Sequence, residues 1–181
     1  MAKLDGLRVV RSKIHGYGLI ALKAFREGDI ICYGDGVTWR DGDDFDDTYA
    51  LAINGYVEHP DGTVTEDGPD LFYDLADQTR WINHSCDANT WVDSRWDREL
   101  HDVVAWWVAL RDIAVGEELT YDYAFVAEAA EPCGCGADVC RGVIVDPDPT
   151  EMARLTPELL AKLRPAAAAE AAAAGAQAAA G

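Results

Sequence analysis

The sequence lacks a long hydrophobic run. Its longest uninterrupted apolar stretch, Val103 to Leu110, covers eight residues, whereas a membrane-spanning helix needs about 20. It also lacks an apolar block near the start, where charged residues are interspersed instead, so a secretory signal peptide is not expected. These charged residues are Lys3, Asp5, Arg8, Arg11 and Lys13. We therefore expect no membrane partner and a cytoplasmic location, with a nucleus or delivery into a host cell as the open alternatives.

Basic residues are scarce. Lys and Arg number 15 against 33 Asp and Glu, which gives a net charge of −18. A chain this acidic, with no basic stripe, is not expected to bind nucleic acid directly. The imbalance is greatest from Asp41 to Asp77, which holds twelve acidic residues and no Lys or Arg. This stretch is either a solvated face that maintains solubility or a wall that attracts a cationic partner.

The last 17 residues lack an apolar face. From Pro165 to Gly181 the chain has 12 Ala residues and no large apolar side chain, so we expect a low-complexity tail. The foldable part is then about residues 1–164, which is long enough for a hydrophobic core. Its apolar and aromatic content, 49% and 9% over the whole chain, excludes intrinsic disorder of the main body.

Short apolar runs between turn residues predict a mainly β fold with short helices. The expected strands are Leu7–Ser12, Leu19–Leu22, Ile30–Tyr33, Val103–Leu110 and Glu118–Phe125. Asn54-Gly55 is typical of a type I′ turn and predicts a hairpin over Thr48–Glu58. Asp61-Gly62 marks another turn. The continuous run Val103–Leu110 indicates a buried strand, and we expect Trp106 and Trp107 to lie in the core.

Two short helices are expected. One lies within Pro69–Thr79. The other runs from Pro157 to about Leu163, because Thr156 can cap it, Pro157 suits its first position and Glu158 places an acid in its first turn.

Three of the five cysteines are packed into eight residues as Cys133-x-Cys135-x4-Cys140. A short loop with this spacing can wrap a zinc ion, which prefers four tetrahedral ligands. A fourth ligand must come from elsewhere, and spacing alone does not choose it. The alternative is a loop with three free thiols. The candidates for the fourth ligand are Cys32, Cys86, His15, His59, His84 and His101.

Three other motifs are ambiguous when taken singly. The run Asn83-His84-Ser85-Cys86 could be a catalytic pair or a polar turn. Gly16-x-Gly18 is too short for a dinucleotide fingerprint. Tyr121-Asp122-Tyr123 could be no more than two aromatic residues on one strand face.

Taken together and in this order, the motifs resemble those of the SET-domain protein lysine methyltransferases. The resemblance covers about residues 6–145. The matching segments are His15–Leu19, Glu27–Ile31, Tyr33-x-Asp35-Gly36, Arg80–Cys86 with Asp87 and Asn89, Gly116–Tyr123, and the cysteine cluster through Gly142, which is similar to a post-SET zinc loop.

The resemblance implies small β-sheets around a knot-like core, with S-adenosylmethionine as methyl donor and structural zinc. It implies a SET domain over residues 1–130 and a post-SET loop over 131–146. The capping residues and the composition described above add a short C-terminal helix within 147–164 and a tail over 165–181. Cys86 would be the fourth zinc ligand beside Cys133, Cys135 and Cys140. The donor would be bound by Gly16, Tyr17, Gly18, Arg80, Asn83, His84, Tyr123 and Phe125.

The resemblance also assigns the chemistry. Tyr123 would lie at the point of methyl transfer, and Tyr121 would restrict the number of methyl groups, so mainly monomethylation is expected. A dry aromatic channel would favour the neutral lysine amine, because desolvation disfavours the ammonium form. The acidic stretch Asp41–Asp77 falls where the family builds one wall of its peptide groove, which implies a basic protein substrate such as a histone, histone-like or ribosomal protein.

Some features depart from the family pattern. Leu75-Ala76-Asp77 replaces the usual Tyr-Gly-Asn, Trp81 replaces Phe, and Ala88 replaces Pro. A compact domain of this kind with an Ala-rich tail favours a bacterial source. The rival hypothesis is a non-catalytic SET-fold module that binds a basic peptide, and the intact Tyr123, Asn83 and His84 disfavour it.

Overall fold

The computed structural model of the protein describes residues 4–161 and residue 163. This part of the chain is built from short strands. They are β1 (Leu7–Arg11), β2 (Tyr17–Ala21), β3 (Ile30–Tyr33), β4 (Gly36–Arg40), β5 (Ala50–Glu58), β6 (Val64–Leu75), β7 (Asn83–His84), β8 (Thr90–Asp97), β9 (Asp102–Ala109), β10 (Thr120–Tyr121), β11 (Glu131–Pro132) and β12 (Val143–Ile144). Helix α1 (Pro149–Arg154) and two 3₁₀ turns, Gln78–Trp81 and Ala127–Ala129, accompany them, and a second short helix follows over residues 157–161.

The strands form five small sheets. Two have three strands, in the orders β3-β9-β8 and β4-β6-β5, and three are pairs: β1-β2, β7-β10 and β11-β12. Every pair is antiparallel except β7 and β10, which run parallel. The core lies between the sheets, and Leu19, Trp107 and Leu119 at its centre have no exposed surface. The predicted mainly β class is confirmed.

The strand predictions for Leu7–Ser12, Ile30–Tyr33 and Val103–Leu110 are confirmed to within a residue or two. The predicted last strand, Glu118–Phe125, is shortened to Thr120–Tyr121. Beyond its end, Ala124 adopts a left-handed conformation (φ 49°), so the predicted strand cannot run on to Phe125.

The hairpin predicted at Asn54-Gly55 is wrong. Both residues lie inside the single strand β5, and the chain turns instead at the other predicted turn, Asp61-Gly62, before β6. Gly55 is placed opposite Gly68 for a steric reason: a Cβ at Gly55 would approach the Pro69 carbonyl oxygen to 1.8 Å. The glycine therefore permits close contact of two strands at an irregularity rather than a turn.

The helix predicted within Pro69–Thr79 is also wrong. Leu71, Tyr73 and Leu75 are buried on one face of β6, in the period-two alternation of a strand. A 3₁₀ turn follows, over Gln78–Trp81, and the Asp77 carboxylate caps it by accepting the Thr79 N–H at 2.9 Å.

The core assignment holds for Trp107 and fails for Trp106. Trp107 is fully buried, but Trp106 points to the opposite face of β9 and is only partly buried. Alternation along the strand separates the two neighbours.

The predicted helix after Thr156 is confirmed over residues 157–161, and the Thr156 hydroxyl accepts the Leu159 N–H at 3.2 Å. Helix α1, which precedes it, was not expected. Residues 165–181, predicted as a tail, lie outside the described residues. Within the described part, no helix is long and apolar enough to cross a membrane.

Asn89 should be a stability determinant, because its buried amide makes three hydrogen bonds to the segment Glu117–Thr120. Its Oδ1 accepts the Thr120 N–H at 2.8 Å, and its Nδ2 donates to the Glu118 carbonyl at 2.8 Å and to Glu117 Oε1 at 3.0 Å. Asn89→Ala leaves buried backbone groups unpaired and should lower the free energy of unfolding by about 2–3 kcal/mol. Chemical denaturation measures this.

The matched control is Asn54→Ala, at an exposed strand position, which should change the free energy of unfolding by no more than about 0.5 kcal/mol. Equal effects of the two substitutions would show that Asn89 has no special role.

Candidate active site

The site is organised by the parallel pair β7-β10. Asn83 lies beside Thr120, His84 lies beside Tyr121, and the Ser85 N–H donates to the Tyr121 carbonyl at 3.1 Å. Parallel neighbours are distant in sequence, and here the pairing places Asn83-His84 next to Tyr121-Asp122-Tyr123. The two motifs that were ambiguous singly therefore form one site.

The side-chain amide of Asn83 joins the β1-β2 turn to this pair. Its Nδ2 lies 2.8 Å from the Tyr17 carbonyl, 3.2 Å from the His15 carbonyl and 2.9 Å from Glu118 Oε1. The amide N–H groups are thus engaged by the protein itself, and these contacts hold the turn against the β7-β10 pair.

The glycines of this turn serve different purposes. A Cβ on Gly18 would approach Glu118 Oε1 to 2.2 Å, so a side chain there would displace the carboxylate that accepts hydrogen bonds from Ser12 and Asn83. Gly16 faces open space and has a φ of +47°, a left-handed conformation that glycine adopts readily. Of the two, only Gly16 leaves room beside its backbone for a ligand.

An aromatic group adjoins the turn. The rings of Tyr17 and Trp81 lie 5.4 Å apart, those of Trp81 and Tyr49 lie 5.5 Å apart, and the Arg80 guanidinium stacks 4.2 Å above Tyr49. Arg80 and Trp81 also line an open cavity of about 380 Å³, next to Ala76 and Asp77. The segment Leu75–Asp77, where the sequence departs from the family, therefore borders this cavity.

Tyr123 lies at the centre of a second aromatic group. Its ring is 4.7 Å from Tyr121, 5.6 Å from Phe125 and 5.4 Å from the His84 ring. Its hydroxyl donates to the Ile82 carbonyl at 3.0 Å, which fixes the phenol against the strand that carries Asn83 and His84.

Burial raises the pKa of Tyr123 to about 12, and burial also raises the pKa of Tyr121 well above its usual range. Both phenols are therefore neutral at physiological pH. They can donate and accept hydrogen bonds, but they do not supply a base.

A polar chain joins Tyr123 to the cysteine loop. His84 Nδ1 accepts the Tyr123 N–H at 3.2 Å and lies 3.5 Å from Asp122 Oδ1. The Arg141 guanidinium contacts both Asp122 oxygens, at 2.7 and 2.8 Å. Burial lowers the pKa of His84, and Arg141 lowers it further, although Asp122 opposes them. His84 is therefore a neutral acceptor.

Three of the four predicted metal ligands lie together with His84, one of the candidates that spacing alone left open. The ligand atoms of His84, Cys86, Cys133 and Cys135 lie within 4.8 Å of one another. Cys140 is joined to this cluster through side-chain interactions with Cys133 and Cys135. The donor set of thiols and one imidazole is the kind that zinc prefers, so the cluster is compatible with a zinc ion.

Backbone donors face two sulfurs of the cluster, and the pKa shifts differ among its cysteines. The backbone N–H groups of Arg141 and Gly142 point at the sulfurs of Cys86 and Cys140, each at 3.4 Å. Burial raises the pKa of the Cys135 thiol, but hydrogen bonds with the Cys86 and Ala137 backbone and with neighbouring thiols outweigh it and lower the pKa to about 7. Burial raises the pKa of Cys86 and Cys133. Cys32 lies apart in the core, with its pKa raised to about 12 by burial.

The structure thus brings the predicted site residues into two adjoining groups, one around the glycine turn and one around Tyr123. Their binding and catalytic roles stay predictions. Reasoning from the sequence missed the connecting residues Tyr49, Glu118, Asp122 and Arg141. Asp122 and Arg141 lie inside quoted motifs, whereas no sequence signal marked Tyr49 within the acidic stretch.

Comparison with known proteins agrees with this arrangement. A family model described as SET domain matches residues 16–124. Human histone-lysine N-methyltransferase 2B is 34% identical over 150 residues, which are 76% of this chain and 5% of the relative. The H3 lysine-4 specific histone-lysine N-methyltransferase of Schizosaccharomyces pombe is 33% identical over 139 residues, 74% of this chain and 14% of the relative. The chain spans only a small part of these relatives.

Solved structures show the same fold. A crystal structure of KRYPTONITE with mCHG DNA and SAH has a TM-score of 0.60 and 26% identity, over 76% of this chain and 28% of that one. A second, with mCHH DNA, an H3(1-15) peptide and SAH, has a TM-score of 0.59 and 25% identity, over 76% and 29% of the two chains. Because the matched family model covers more than half of the sequence, this chain belongs to the SET-domain family.

Proposed function

We propose that the chain transfers a methyl group from S-adenosylmethionine to a lysine side chain in a basic protein segment, and that it adds mainly one methyl group. The observation that carries the proposal is the placement of Tyr123. Its neutral phenol is fixed at 3.0 Å from the Ile82 carbonyl, between the Asn83-His84 strand and the rings of Tyr121 and Phe125. The relatives described above support the reaction class.

The donor would lie on the side of the glycine turn. When bound, it supplies an electrophilic methyl group on a sulfonium. Gly16, Tyr17 and Gly18 would provide one wall, Arg80 would lie beside the 380 Å³ cavity, and Asn83 would hold the wall in place through its contacts to the turn. SAH, the compound in the two solved KRYPTONITE structures, is what S-adenosylmethionine becomes after it has lost its methyl group.

The acceptor would approach through the rings of Tyr121, Tyr123 and Phe125. A lysine attacks only as the free amine, and its pKa in water is about 10.4. Aromatic walls exclude water and lower that pKa, because the ammonium loses its hydration. With a pKa of about 12, Tyr123 is not the base, so the proton leaves to water before transfer. The phenol orients the amine, and orientation accounts for much of the rate.

Zinc would be structural. Cys86, Cys133, Cys135 and Cys140 would hold it, and it would hold the loop that carries Arg141. Because Arg141 pairs with Asp122 beside Tyr123, a folded loop would in turn support the tyrosine segment.

The acidic stretch Asp41–Asp77 supports a basic substrate. It builds most of the sheet β4-β6-β5 and the loop before β5, and Tyr49 connects it to the site through the stacked Arg80. Attraction between opposite charges would raise the local concentration of a lysine-rich segment. A cytoplasmic histone-like or ribosomal protein would have the required charge, and so would a histone.

The rival function is a non-catalytic module that binds a basic peptide through the same fold. The fixed Tyr123 phenol disfavours this rival, because peptide binding alone does not need it.

Tyr123→Phe should reduce methyl transfer about 100-fold or more, because the variant loses a group that orients the reacting atoms. Label transfer from S-adenosylmethionine to core histones and to cell lysate measures this, with calorimetry of donor binding as the control. Binding should change little, since the ring remains in place.

Full activity of Tyr123→Phe would contradict the assigned role. Donor binding without transfer to any protein, in both wild type and variant, would favour the rival binding module.

Tyr121→Phe should shift the products from mono- towards di- and trimethyl-lysine. The Tyr121 hydroxyl fills space beside Tyr123 and can form a hydrogen bond with the acceptor amine. Removing the hydroxyl leaves room for an amine that already carries a methyl group. Mass spectrometry of a methylated substrate peptide measures the distribution. An unchanged product distribution would show that Tyr121 does not limit methylation.

Removing zinc should lower the thermal midpoint and abolish activity, because the Arg141 loop loses its anchor. Metal analysis should give one zinc per chain in the wild type. Cys135→Ser and Cys140→Ser should lose the metal, while Cys32→Ser should keep it. His84→Gln separates the two possible ligand sets: retained zinc supports the four cysteines, and lost zinc would make His84 a ligand.

A further inference from the structure

A second cavity lies between the sheet β4-β6-β5 and the far end of the strand pair β8-β9. Its volume is about 540 Å³, which is within the range of ligand sites in proteins. Trp107 on β9 contacts Tyr121 at a ring distance of 6.2 Å, whereas the cavity is lined by Asp102, at the start of the same strand. At about 3.3 Å per residue the two places are about 17 Å apart, so the cavity is separate from the site around Tyr123.

Flat apolar groups line this cavity. The rings of Tyr56 and Trp96 have centroids 6.3 Å apart and planes inclined by 32°. Both rings pack against the core, and the Tyr56 hydroxyl is hydrogen-bonded to the Ser94 hydroxyl at 3.2 Å. Leu71 adds to the apolar lining. The rings are therefore held in place, and a flat group that enters the cavity can stack on them.

Two carboxylates line the same cavity from different elements. Asp102 Oδ1 accepts the Thr38 hydroxyl at 2.5 Å and the Val103 N–H at 2.7 Å. Glu58 Oε2 lies 3.2 Å from Nδ1 of His101. Among the residues that the structure describes, Asp102 Oδ2 and Glu58 Oε1 have no hydrogen-bond partner. Each carboxylate thus retains one oxygen for a ligand.

The charge of the cavity favours a cation. Its lining holds two acids, Glu58 and Asp102, and one base, Arg40, which together give −1 when His101 is counted as neutral. The His101 side chain is 72% exposed and lies at the rim. Arg40 is followed directly by the run Asp41–Asp47, which contains five Asp residues. The surroundings of the cavity are therefore acidic even beside its one base, and they attract positive charge.

A guanidinium matches these features better than an ammonium does. It is planar, so it can stack on aromatic rings, and its N–H donors pair with carboxylates in a fixed fork. The faces of aromatic rings also attract its charge. An ammonium is compact and strongly hydrated, and it makes less use of flat walls.

We propose that this cavity binds an arginine side chain of the protein segment that is methylated, between the two carboxylates and the rings of Tyr56 and Trp96. This inference rests on the proposed function, which supplies a basic segment as the partner. An extended segment rises about 3.3 Å per residue, so the arginine lies about five residues from the target lysine. The cavity thus selects the target lysine through a second residue of the same segment.

Calorimetry without S-adenosylmethionine tests the cavity by itself. The probe is a short Gly-Ser peptide with one central arginine and no lysine, and the matched peptide carries citrulline, a neutral analogue of arginine. The arginine peptide should bind the wild type about 10-fold more tightly, because only arginine gives charge-assisted hydrogen bonds. Glu58→Gln and Asp102→Asn should each weaken its binding about 10-fold for the same reason. Both variants keep a carbonyl oxygen that can accept the existing hydrogen bonds.

The matched control is Glu66→Gln, which removes the same charge at an exposed position of β6 outside the cavity. It should weaken binding less than about two-fold, because exposed charges at a distance are screened. Thermal melting verifies that each variant is folded. The proposal is overturned if the arginine peptide does not bind, if both peptides bind equally, or if Glu66→Gln and Glu58→Gln have equal effects.

Methyl transfer tests the link to the substrate. A peptide with a lysine and an arginine about five residues apart should have a KM about 10-fold lower than its citrulline analogue, with kcat little changed, because the arginine contributes binding only. Glu58→Gln should remove this difference, and Glu66→Gln should retain it. Transfer that is indifferent to the arginine overturns the inference while the proposed function stands. Arginine binding without transfer to any peptide or to core histones supports the cavity as an arginine site and contradicts the proposed function.

Discussion

The parallel pairing of β7 with β10 is the constraint on which the site depends. Two residues from each strand suffice to bring Asn83 and His84 next to Tyr121 and Tyr123. The buried side-chain amides of Asn83 and Asn89 fix the neighbouring segments to this pair. Asn83 fixes the glycine turn to one flank, and Asn89 fixes the segment Glu117–Thr120 to the other. Buried polar groups of this kind specify one arrangement, because any alternative leaves them unpaired. A site assembled from short, irregular segments thus acquires a defined geometry.

The cysteine cluster and the tyrosines form one continuous structure. Cys86 follows His84 by two residues, His84 accepts the Tyr123 N–H, and Arg141 returns from the cysteine loop to Asp122. A metal in this cluster would support the arrangement of the tyrosines through these contacts and would take no part in the reaction. The acidic insert is connected less tightly, through the stacking of Arg80 on Tyr49. The proposed substrate attraction and the proposed methyl transfer therefore rest on different parts of the molecule.

The sequence predicted the fold class and the grouping of the site residues, but it predicted local structure less well. The order of the motifs was informative because few other families combine the Asn83-His84-Ser85-Cys86 run, the Tyr121-Asp122-Tyr123 run and a cysteine cluster in this sequence. Turn chemistry failed at Asn54-Gly55, where a glycine was needed for strand contact and not for a turn. Periodicity failed at Trp106, because an apolar run does not reveal whether both faces of its strand are covered. The connecting residues Asp122 and Arg141 could not be paired in advance, since their contact depends on how the cysteine loop folds back.

A crystal structure with S-adenosylhomocysteine tests the central claim most directly. We expect the compound between the Gly16–Gly18 turn and the Asn83-His84 strand, with its sulfur directed at the Tyr123 hydroxyl and its remaining length along the side of Arg80 and Trp81. Binding at any other place, or a site that stays closed at saturating concentration of the compound, would contradict the claim that these two groups of residues form a methyl-transfer centre.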